Sequence, residues 1–172
     1  MWTTTLTMCQ GVAGGGRGRM RGLDEGEARE LNAIAGVLEA LALRLSPAFD
    51  SVTIAELRFA GERFRWSGED AGSLAVADHD FHSRLAERCG DERLLGTLGP
   101  VRDAIYRWQT QLSPDAAQVA RAAREHDAIV DALACGNHAT AAQLVREHVA
   151  GGLRSLLAVV RPGPADPLAG SP

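Results

Sequence analysis

From Leu23 to Val160 apolar residues recur at steps of three and four, and the recurrence breaks only where Gly, Pro, Ser or Asp intervene. No stretch alternates in the manner of a half-buried strand. A chain patterned this way must bury one stripe of each helix against its neighbours, which leaves helix-on-helix packing as the available architecture. The spacing predicts helices near 24–45, 48–65, 70–88, 91–111, 114–134 and 138–160. Ser46-Pro47 suits a helix start, and Ser67-Gly68 and Cys89-Gly90 suit stops. Ser113-Pro114 pairs an N-cap with proline at the first helical position, and Gly136-Asn137 suits a C-cap and turn. Short connections force antiparallel neighbours, so the expected fold is an all-α antiparallel bundle, with Pro100 expected to kink or split the fourth helix.

The ordered domain is expected over residues 23–160. Residues 1–22 hold Arg17, Arg19 and Arg21 among many glycines and read as a disordered Gly/Arg leader, because glycine cannot offset its ordering entropy. Residues 161–172, RPGPADPLAGSP, read as a disordered Pro/Gly tail. Beyond residue 22 the chain carries 15 arginines against 22 acidic residues. Such an acidic body repels phosphate, so direct DNA binding is not expected from it. No run approaches the roughly 20 apolar residues of a membrane span. Three cysteines, Cys9, Cys89 and Cys135, have neither paired nor clustered spacing, which speaks against a disulfide framework and for a reducing cytoplasm.

Polar residues interrupt three of the stripes. In the third helix Leu74, Asp78, His82 and Leu85 follow steps of four, four and three. In the fifth, Val119, Ala123, His126, Val130 and Leu133 form a regular stripe centred on a histidine, and in the sixth Ala141, Val145, His148 and Gly152 do the same. Residues at these steps share a face, so one carboxylate and three imidazoles point into the bundle. Each would cost several kcal/mol if buried without a partner. A divalent metal ion compensates all four together, and an aspartate oxygen with neutral imidazole nitrogens suits zinc, nickel, manganese or iron. Asp78, His82, His126 and His148 are therefore the candidate metal ligands. His79 and His138 fall off the stripes and are expected to be solvated. Glu125 and Glu147, each about 100° around its helix from the following histidine, read as surface charges.

Taken together these residues carry a resemblance. DHDFHSRL at Asp78–Leu85, EHDAIVDALACGNHATA from Glu125 to Ala141, and Glu147-His148 near the end of the last helix resemble, in order and spacing, the C-terminal effector-binding (FCD) domain of FadR-type GntR transcription regulators. The resemblance spans about residues 23–160. It implies a bundle of six to seven helices with a divalent ion in its core, held by one Asp and three His at the four positions already named. It implies a small organic acid or similar anion at the metal, assisted by nearby arginines, and a homodimer. Two departures accompany it. The 22 residues before Leu23 cannot supply the family's N-terminal winged helix-turn-helix, so a stand-alone sensor or a truncated regulator is expected. Ala35 stands where the family often has an arginine three residues before Leu38-Glu39; Arg29 and Arg102 are the substitute ligand-binding residues, with a solvent-exposed position expected for both.

Three functions fit this reading. The first is a metal-dependent sensor of a small molecule of the carboxylate class. The alternative is a metalloenzyme on the same bundle that activates substrate, water or dioxygen at the ion. The third is a structural or interaction module tied together by its metal.

Overall fold

The computed structural model describes residues 25–160 apart from Glu69 and Ser113. It contains six helices: α1 (Glu25–Leu45), α2 (Ser51–Trp66), α3 (Ala71–Glu87), α4 (Glu92–Gln109), α5 (Ala116–Ala134) and α6 (His138–Val160). No strand occurs among the described residues. The expected leader at 1–22 and tail at 161–172 lie outside them.

The helix starts are set by aspartate. Asp50, Asp70, Asp91 and Asp115 cap α2 to α5, accepting backbone N–H groups of Thr53 at 2.8 Å, Ser73 at 2.7 Å, Leu94 at 3.0 Å and Gln118 at 2.8 Å. At α5 the cap is reciprocal, since the Asp115 N–H donates to Gln118 Oε1 at 2.9 Å. These caps correct two expectations. α2 begins at Ser51 rather than beside Ser46-Pro47, and α5 begins after Asp115 rather than after Ser113-Pro114, because a carboxylate three residues ahead of a free N–H is a strong cap. The helix ends agree with the sequence reading. Gly136, at φ +69°, closes α5 while the Asn137 N–H returns to the Ala132 carbonyl at 2.8 Å.

Nor does α4 split at Pro100; it runs unbroken from Glu92 to Gln109. Pro100 lies on the exposed face, whereas Leu94, Leu98, Ile105 and Trp108 are buried on the other, so packing holds the helix across the missing donor.

α1 packs most extensively on α6 and also on α4 and α3. α5 packs on α6 and α2, and α3 bridges α2 and α4. The largest core cluster joins Leu43, Leu57, Phe81, Leu85, Ile129 and Val145 from five helices. That core surrounds the buried polar residues and fixes their approach.

Candidate metal centre

Asp78 and His82 on α3, one turn apart, meet His126 from α5 and His148 from α6; all four are buried. Each offers one ligand atom, and the four atoms lie within 4.8 Å of one another. His126 Nε2 stands 3.2 Å from His148 Nε2 and 3.5 Å from Asp78 Oδ1, and His82 Nε2 stands 3.7 Å from the same oxygen. Atoms held about 2.1 Å from one ion stand about 3.0 Å apart at right angles and about 3.4 Å apart at the tetrahedral angle. The donor set, three nitrogens and one carboxylate oxygen without sulfur, and its spacing both fit a divalent ion.

The far sides of these ligands are also held. His82 Nδ1 donates to Glu39 Oε2 at 2.6 Å, and His148 Nδ1 donates to Glu125 Oε2 at 2.8 Å. A carboxylate acceptor on Nδ1 fixes the proton there and leaves the Nε2 lone pair facing the cluster, as in carboxylate–histidine–metal arrangements. Asp78 divides its two oxygens. Oδ2 accepts from Arg102 Nη2 and Gln109 Nε2, both at 3.1 Å, and Oδ1 faces the imidazoles. Arg102 also reaches Glu39 Oε1 at 3.3 Å, tying the outer groups into one network. His126 is held by packing instead. Its ring stacks on Phe81 with centroids 4.0 Å apart and meets Phe64 edge-on at 5.0 Å, while its Nδ1 is buried without a hydrogen-bond partner.

Protonation states follow from this environment. Burial, which penalises the charged ring, lowers His126 to about 3. Burial and then the Arg102 charge lower His82, against the pull of Glu39 and Asp78. For Asp78 burial acts upward, but His82, the His126 contact and Arg102 overcome it and hold the carboxyl well below its ordinary value. Glu39 is likewise lowered, with burial outweighed by His82 and Arg102. Neutral imidazole beside ionised carboxylate is the state a metal requires.

A cavity of about 90 Å³ opens beside the cluster, its wall including Asp78, His82, Arg102, Gln109, Arg121 and His148. Arg121 donates to Glu125 Oε1 at 2.7 Å and to Ser155 Oγ at 2.8 Å. It lies so close over α6 that a Cβ on Gly151 would sit 2.8 Å from Nη1.

Several sequence expectations need correction. Arg102 is buried among carboxylates, not solvent-exposed, and Glu125 is half-buried and orients His148 instead of standing on the surface. His79 and His138 are half-buried rather than solvated: His79 contacts Asp103 at 3.1 Å and His138 Nδ1 donates to the Leu43 carbonyl at 2.8 Å. Glu147 is exposed as expected, accepting from Gln143. Arg29 is exposed and is not among the residues lining the cavity. Sequence reasoning assigned no role to Glu39, Gln109 or Arg121.

The family model of the FCD domain matches residues 30–151. The chain belongs to the FCD domain family. Membership points to an effector-binding regulatory domain of GntR-type regulators. No curated protein matches the chain. Among the described residues no helix of this FCD domain is long and apolar enough to cross a membrane.

Two outcomes follow for the centre. Glu39→Gln removes the charge that holds His82 Nδ1, so divalent-metal affinity should fall about 10- to 100-fold with unchanged circular dichroism; unaltered affinity would contradict the orienting role. In metal-free protein the folded state binds fewer protons at His126 than the unfolded chain does between pH 6.5 and about 3. Its stability is therefore complete at neutral pH and lost as the pH falls, by about 1.4 kcal/mol per pH unit for each such histidine. Glu39 and Asp78, lowered from 4.5 and 3.8, add to the same loss below those values. Urea unfolding at pH 7 and pH 5 checks this, with the lower midpoint expected at pH 5.

Proposed function

We propose that this FCD domain is a metal-dependent sensor of a small monocarboxylate. The charge balance around the cavity carries the reading. Glu39, Asp78 and Glu125 contribute three negative charges and Arg102 and Arg121 two positive ones, all linked by the contacts above. With the three imidazoles neutral, as ligation requires, the site loaded with a divalent ion carries one positive charge. A monoanion then neutralises it. When bound, the ion supplies Lewis acidity and open positions for an oxygen ligand. Asp78, His82, His126 and His148 would hold it, zinc, nickel, manganese and iron being the ions suited to that donor set.

Arg102 and Gln109 support an anion site next to it. Both line the cavity, and both keep a buried polar atom without a hydrogen-bond partner, Arg102 Nε as a donor and Gln109 Oε1 as an acceptor. A short carboxylate, more so one carrying a hydroxyl, has the acceptors and the donor that these atoms lack. A volume of about 90 Å³ suits such a molecule, being smaller than the roughly 150 Å³ that admits benzene in an apolar protein cavity. The nearby carboxylates favour sensing over catalysis, because each is engaged by an arginine and none is left as a general base. α1, α3, α4, α5 and α6 all send side chains to the site, so a bound anion would join five helices into one unit. All six described helices are committed to the bundle, so any DNA-reading element belongs outside them.

Calorimetric titration of metal-loaded protein with mono- and dicarboxylates of two to four carbons tests the reading. Monocarboxylates are expected to bind more tightly than dicarboxylates, and chelation of the metal is expected to abolish binding. At about 100 times its Kd such a ligand should add about 2.7 kcal/mol to stability. Absence of binding by every member at millimolar concentration, or binding that survives chelation, would contradict it.

A further inference from the structure

The two arginines on the cavity wall are held differently. Arg102, only 5% accessible, is clamped between the carboxylates of Glu39 and Asp78. Arg121 is 32% accessible, so solvent and an anion in the cavity can both reach it. Its Nη1 donates to Glu125 Oε1 one turn along α5, and its Nη2 donates to Ser155 Oγ on α6. Ser155 is itself fixed, its hydroxyl donating to the Gly151 carbonyl at 3.2 Å.

Glu125 therefore serves two donors with one charge. Oε1 accepts from Arg121 at 2.7 Å and Oε2 accepts from His148 Nδ1 at 2.8 Å. A carboxylate behind a ligating histidine raises the basicity of the ring's other nitrogen. A guanidinium on the second oxygen opposes this, because it stabilises the same negative charge and gives the imidazole less of it. Here the other nitrogen is His148 Nε2, which faces the cluster. A chain of contacts thus runs from a half-exposed arginine through Glu125 to a candidate ligand. The other two imidazoles have no such chain to solvent. Behind His82 stand Glu39 and Arg102, both buried, and His126 Nδ1 has no hydrogen-bond partner.

We propose that Arg121 couples the cavity to the metal centre, weakening the hold of His148 on the ion until a carboxylate in the cavity takes up its charge. This rests on the metal and monocarboxylate reading above and names how its two parts communicate. An anion beside Arg121 offsets the positive charge that Glu125 otherwise faces, and Glu125 then acts on His148 in full. Anion and ion favour each other by the same factor, as linkage requires.

Zinc affinity of the full chain, measured by competition with a chromophoric chelator with and without acetate, tests it. Without acetate, Arg121→Gln should bind zinc about fivefold more tightly than wild type, and Arg121→Lys, which keeps the charge, should match wild type. Glu125→Gln should bind about tenfold more weakly, and Arg121→Gln added to it should change nothing further, because Arg121 acts through Glu125. Arg124→Gln, which removes an exposed charge from the same helix, should leave zinc affinity unchanged. Acetate should tighten zinc binding to wild type and do so less in Arg121→Gln. Zinc affinity in Arg121→Gln equal to or below wild type would overturn the coupling, as would a gain that persists in the Glu125→Gln background or an equal response to acetate in both proteins. Wild-type protein that takes up no zinc would overturn the metal reading and the coupling with it. Tighter zinc binding by Arg121→Gln beside a wild type indifferent to acetate would support the contact chain and count against the monocarboxylate alone.

Discussion

One carboxylate and three imidazoles share the interior of this bundle, and their mutual accommodation governs the architecture around them. Isolated polar groups at that depth would each cost several kcal/mol. Here the cost is met in two ways. Glu39, Glu125, Arg102 and Gln109 hold the outer edges of three ligands. Phe81 and Phe64 hold the ring of the fourth. The inner edges converge toward one point, a grouping of four ligand atoms of the kind that could hold a metal ion. Even α2, which donates no ligand, contributes Phe64, and its Gly61 lies against His126.

Much of this was legible from periodicity. A helix reports which residues share a face, and Asp78, His82, His126 and His148 each lay in the middle of an apolar stripe. The same rule, applied to the remaining helices, would have found more. In α1, Asn32, Ala35, Glu39 and Ala42 follow steps of three, four and three, and all are buried. In α4, Leu94, Leu98, Arg102 and Ile105 follow four, four and three, which places the arginine inside, where it lies. Glu39 and Arg102 therefore carried the same signal as the histidines; Arg102 was expected in solvent because lone charges usually belong there.

Other features depend on how helices cross, which no stripe encodes. Glu125 stands at the margin of its helix, and only the approach of α6 brings His148 within its reach. Arg121 joins the cavity wall because Gly151 lets it lie against α6. The helix starts were misplaced for a local reason. Proline suggested a beginning at positions 47 and 114, but the aspartates that follow satisfy the free N–H groups better, and the helices start with them. At Pro100, tertiary packing of the buried face outweighed the local break.

The central claim is that these four side chains close on a single ion. X-ray absorption fine structure of the metal-loaded protein measures this most directly. The account predicts a first shell of nitrogen and oxygen only, at about 2.0–2.2 Å, with the multiple-scattering signature of three imidazoles that is lost in part when His126 is replaced by alanine. A shell containing sulfur, or one with no imidazole signature, would contradict it.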